Sequence, residues 1–72
     1  MILINAPLKR DFIISLLDGQ TIDNITFNLD HQDGMKLFFI HNGEGESASK
    51  IAKKVIQSSE FGKALFFNVT EV

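Results

Sequence analysis

The run Gly43-Glu44-Gly45-Glu46-Ser47-Ala48 is the most specific chemical pattern in the chain, a G-x-G-x-x-A motif. Where such a run follows a strand and opens a helix, bare backbone amides cradle a pyrophosphate at the helix N-terminus. Gly43, Gly45 and Ser47 would then be ligand-binding residues of a small-ligand or nucleotide sensor, with Glu71 as an acid for a ribose. Three features oppose this reading. Glu44 and Glu46 put negative charge beside the phosphates. Glu71 lies beyond the roughly 20 residues at which the fingerprint wants its acid. The upstream elements read as a meander, not as half of a doubly wound sheet. A plain strand-to-helix loop is the favoured reading and a nucleotide sensor the alternative.

The other reactive side chains are dispersed. His31 stands between Asp30 and Asp33 in an expected turn, and His41 ends an expected strand before Asn42-Gly43. A metal site needs the fold to bring such groups together, and turn chemistry accounts for Asp33 and Asn42 without one. No metal and no cofactor are expected. Ser15, Ser47, Ser49, Ser58 and Ser59 lack a nucleophile elbow, and no acid–base pair has a distinctive spacing. A chain this short also has little scope for a water-excluded pocket. The protein is expected not to be an enzyme.

Composition sets further bounds. At 72 residues the chain makes a single domain, spanning 1–72. Domains of this size bury only about 60% of their unfolded surface and usually lean on disulfides, a metal or a partner. There is no cysteine, which excludes a disulfide framework and thiolate zinc and leaves partnering as the leading supplement. Nine acidic against seven basic residues give a net charge of −2. That balance lacks the basic footprint of a phosphate-backbone binder and is too mild for an acidic DNA mimic. Lys36-Leu37-Phe38-Phe39-Ile40 puts aromatics on a strand, but a base-stacking sheet needs glycine and spaced aromatics that are missing. Nucleic acid is not the expected partner; Lys50, Lys53 and Lys54 read as a solvated helix face. No apolar stretch approaches the roughly 20 residues of a membrane span. No basic residues precede the opening apolar run, so no signal peptide is expected and the reading is cytoplasmic. The two sequons, at Asn24 and Asn68, are then chance. Small size and a usage rich in Asn, Ile, Lys and Phe suit a bacterial or phage accessory protein.

The elements follow from periodicity. Arg10 to Leu17 alternates, with Phe12, Ile14 and Leu16 on one side and Ile13, Ser15 and Leu17 on the other, and Asp18-Gly19 suits a type I′ hairpin turn. Gln20 to Leu29 reads as the next strand, with Ile25, Phe27 and Leu29 together and a bulge near Asp23-Asn24. A turn over His31–Gly34 leads into a strand from Met35 to His41. Ile2-Leu3-Ile4 can add a strand before Pro7. The period then changes: Ala48, Ile51, Ala52, Val55, Ile56 and Ser59 form a helical stripe, which Glu46 or Ser47 would cap and Gly62 would stop. Ala64 to Val72 returns to alternation, with Leu65, Phe67 and Val69 on one face.

The expected fold is α+β: an antiparallel β-meander of four to five strands with one amphipathic helix on one face, in the order β-β-β-(β)-α-β. One helix shelters one face. By parity the other face carries Ile13, Leu17, Phe38, Ile40 and Phe66. Burying each is worth roughly 1.5–3 kcal/mol. The expected function is therefore a non-enzymatic protein–protein interaction module, a small inhibitor or adaptor. It would form a homodimer or larger homo-oligomer, or dock another protein, with those five residues as anchors.

Overall fold

The computed structural model describes every residue from Met1 to Val72. Five strands and two helices follow one another as β1 (Ile2–Asn5), α1 (Arg10–Leu17), β2 (Gln20–Ile22), β3 (Ile25–Asp33), β4 (Lys36–His41), α2 (Gly45–Gln57) and β5 (Asn68–Glu71). The strands form one antiparallel sheet in the order β2-β3-β4-β1-β5. This is the α+β architecture expected, with β2, β3 and β4 as its meander and Ile2–Asn5 as the additional strand.

Arg10–Leu17 corrects the expectation of a strand. Its apolar residues satisfy two templates, since Ile13, Ile14, Leu16 and Leu17 also lie on one helical face. The ends decide between them. The Arg10 guanidinium donates to the carbonyls of Ala6 and Pro7 at 3.0 and 2.7 Å, and Asp11 occupies the first turn. At the other end the Asp18 amide bonds the Ile14 carbonyl, and Gly19 takes the left-handed conformation (φ 73°) that closes a helix. Asp18-Gly19 thus ends a helix instead of turning a hairpin. Asp18 has a second task, its carboxylate accepting the Leu29 amide at 2.9 Å.

The type I′ signature lies five residues later. Ile22 pairs with Ile25, and the two residues between them, Asp23 and Asn24, both have positive φ (51° and 67°). What the sequence suggested as one bulged strand is a hairpin, which explains why Ile22 and Ile25 are out of phase. The register irregularity is instead between Leu29 and His31. β3 runs through the expected turn as far as Asp33, and Gly34-Met35 makes the connection to β4 with positive φ only at Gly34.

Both helices cover the same face. α1 touches β2 and β3, while α2 touches β5 and β1. Ile2, Ile4, Ile25, Phe27, Leu37 and Phe39 rise from the sheet to meet Ile13 and Leu17 of α1 and Ala48, Ala52 and Ile56 of α2. No polar or charged residue is buried. Ala48 and Ala52 leave little bulk between α2 and the strands, which lets that helix sit close. α2 starts at Gly45 without a side-chain cap and ends at Gln57, with Ser58 as its C-cap, short of Gly62.

Candidate functional site

Alternation along each strand sends one side chain to the helices and the next to the opposite, uncovered face. With Ile2 and Ile4 buried, Leu3 and Asn5 point to the open face; with Leu37 and Phe39 buried, Lys36, Phe38 and Ile40 do. The register then arranges them in rows. His31, Phe38, Leu3 and Thr70 lie side by side across β3, β4, β1 and β5. In the next row Asn28 faces Ile40. Continuing the β1–β4 register one residue sets Met1 beside Ile40, and the Val72 amide bonds the Met1 carbonyl at 3.0 Å on the other side. Met1, Leu3, Phe38, Ile40 and Val72 therefore form one contiguous apolar patch over three adjacent strands.

Its members differ in exposure. Ile40, Met1 and Val72 are 47%, 43% and 63% exposed, while Leu3 and Phe38 are half-buried by their neighbours. Phe38 is covered from the β3 side by the His31 ring, stacked at 4.2 Å between centroids. His31 is itself held by Asp30, Nδ1 to Oδ2 2.5 Å. Beyond this pair the face turns polar, through Thr26, Asn28 and the Thr21–Thr26 hydroxyl pair at 2.8 Å. Lys36 and Asp33 sit opposite each other at its lower end.

Of the five expected anchors, Phe38 and Ile40 belong to this patch. Phe66 is 85% exposed and shares the parity of Asn68 and Thr70, but it stands at the opposite end of the face, beside Asn5, Pro7 and Met35. Ile13 and Leu17 do not belong. Both are wholly buried on α1, because the segment is a helix whose inner face closes the core. Met1, Leu3 and Val72 are members that the sequence reading missed. Leu3 had a signal, being the odd residue between Ile2 and Ile4, but faces follow only once the neighbours of β1 are known.

The Gly43–Ser47 run does lie at a strand-to-helix junction, but Gly45, Glu46 and Ser47 already form the first turn of α2. Both of its glycines lie against side chains. A Cβ on Gly43 would fall 2.6 Å from Cδ1 of the buried Ile25. The Glu71 side chain lies against Gly45, its carboxyl carbon 2.6 Å from where a Cβ would stand. An acid thus occupies the space beside the first turn of α2, and Glu46 points outward to pair with Lys50 at 3.1 Å. Ser47 is exposed. His41 and His31 do not converge: His41 pairs with Phe27 on the covered face, where its Nδ1 accepts the Gly43 amide at 3.2 Å. No three metal-ligating side chains gather anywhere in the fold.

Comparison of the chain with protein-family models, with curated proteins and with solved structures finds no match in any of the three. No helix is long and apolar enough to cross a membrane.

Proposed function

We propose that the protein is a non-enzymatic interaction module, a small inhibitor or adaptor, that docks a partner protein or a second copy through the open face of its sheet. The observation that carries this reading is the apolar patch of Met1, Leu3, Phe38, Ile40 and Val72, contiguous across β4, β1 and β5 and sheltered by neither helix. Antiparallel sheets that present one side to water normally make that side polar. Here the polar half, on β2 and β3, shows what such a face looks like, and the apolar half departs from it. No charged side chain stands inside the patch, which suits a dry contact, since a buried unpaired charge would cost more than the apolar contacts return. A cytoplasmic setting, in keeping with a cysteine-free chain, is part of the same proposal.

Ile40→Asp tests it, because Ile40 is exposed on the patch yet lies inside β4, away from the chain ends. Native mass spectrometry of wild-type protein recovered from its own host should show a stoichiometric complex, with itself or with another protein. Ile40→Asp should lose the partner or copy held by the open face, though not one held elsewhere on the molecule, and keep the wild-type circular dichroism spectrum. A complex equally abundant in the variant, or none in the wild type at high micromolar concentration, removes the proposal's support.

A further inference from the structure

The two edges of the sheet are built differently, and the difference points to a second interaction surface. An exposed edge offers unpaired N–H and C=O groups to any other strand, and proteins blunt it with short strands, charges and bulges. The β2 edge has all three. β2 is three residues long, the next free amide, at Leu29, is taken by the Asp18 carboxylate, and then come a bulge and the charged stretch Asp30–Asp33. The β5 edge is also short, at four residues, but it has no bulge and a single charged side chain. Its only ladder partner is β1, and the Met1–Val72 bond fixes which groups that ladder uses. Asn68, Thr70 and Val72 turn their backbone groups inward, so those of Val69 and Glu71 point away from the sheet, and Phe67 would continue that alternation just before the strand. No hydrogen bond within the molecule reaches them. Side chains along this edge, Phe66, Phe67, Val69 and Val72, are apolar, and Glu71 is its single charge.

We propose that two copies of the chain join through this edge, β5 against β5 in antiparallel fashion about a twofold axis at Val69, making one ten-stranded sheet. The occupant is a second copy because the strand is complementary to itself in this register. Val69 meets its twin and Phe67 meets Glu71 as hydrogen-bonded pairs, giving six backbone bonds. On the open face Asn68 falls beside Thr70, and the exposed Phe66 beside Val72. Charge selects the register. The two Glu71 side chains are then four residues apart along the strands, about 13 Å, beyond the roughly 8 Å screening length at physiological salt. Moving the axis to Thr70 would set them about half as far apart. The joint is independent of the open-face reading and leaves Ile40 and Phe38 uncovered.

Amide-resolved hydrogen exchange by NMR, from about 10 μM to 1 mM, reads the edge directly. The Val69 and Glu71 amides should gain protection with concentration, while the inward Thr70 amide is protected throughout. Glu71→Pro removes one outward donor from each copy and no bond to β1, and should weaken association roughly 10- to 100-fold. Glu71→Ala, which keeps the amide, should associate at least as well as wild type, and Ile40→Asp should leave the dimer intact. Val69 and Glu71 amides that exchange at one rate across the whole range overturn the proposal. So does equal association of Glu71→Pro and Glu71→Ala. The exchange measurement decides the matter on wild-type protein should the proline variant fail to fold.

Discussion

His31 lies flat on Phe38 across the β3–β4 ladder, ring centroids 4.2 Å apart and planes 10° from parallel. The irregularity between Leu29 and His31 makes this possible. Ile25, Phe27 and Leu29 all face the helices, and unbroken alternation would have sent residue 31 the same way. The extra residue reverses the parity, so an imidazole lands on the open face and covers the inner flank of an aromatic side chain.

Removing that cover should show in stability. His31→Ala is expected to cost about 0.5–1.5 kcal/mol, the worth of an aromatic pair beyond its buried area. Urea denaturation of the two proteins measures it, and an unchanged midpoint would mean that the stacking contributes nothing.

The place of α1 separates core from surface. Leu17→Ala and Ile13→Ala should each lose about 2–5 kcal/mol, as buried aliphatic truncations do. Ile40→Ala should stay within about 0.5 kcal/mol at concentrations where the protein is monomeric. Were Ile13 and Leu17 surface anchors, all three variants would unfold alike.

Two glycines test how tightly the helix ends are held. A Cβ on Gly62 would meet the Gln57 carbonyl oxygen at 2.2 Å, and backbone cannot swing aside. Gly62→Ala should cost about 1–3 kcal/mol, the range for forced overpacking. Gly45→Ala meets only the far end of the exposed Glu71 side chain, and its cost should be under about 0.5 kcal/mol. Thermal denaturation of the pair distinguishes them, and equal losses would count against the packing described for Gly62.

The hairpin between β2 and β3 holds Asn24 at φ 67°. Asn24→Gly relieves that conformation and should leave stability unchanged or raise it by up to about 1 kcal/mol. Asn24→Val, with a branched Cβ in the left-handed region, should lower it by about 1–2 kcal/mol. A valine variant as stable as wild type would show that the turn has some other geometry.

Much of this fold is written in local pattern. The stripe Ala48, Ala52, Ile56 on α2, the alternation of Leu37, Phe38 and Phe39 on β4, and the shared face of Ile25 and Phe27 each follow from side chains a few positions apart. These interactions are short-ranged, and neighbours along the chain suffice to specify them. The open-face anchors Phe38 and Ile40 were readable for the same reason.

The tertiary structure decided the rest. Arg10–Leu17 fits a strand and a helix equally in pattern; the carbonyls of Ala6 and Pro7, the left-handed Gly19 and the part of the sheet left bare by α2 made it a helix, and Ile13 and Leu17 became core. The sequence also holds Met1, Leu3 and Val72 without saying that they meet Ile40 and Phe38. That adjacency comes from β1 sitting between β4 and β5, a pairing of segments more than thirty residues apart. Strand order is set by which long-range contacts bury the most apolar surface together, and no local window of residues contains that sum.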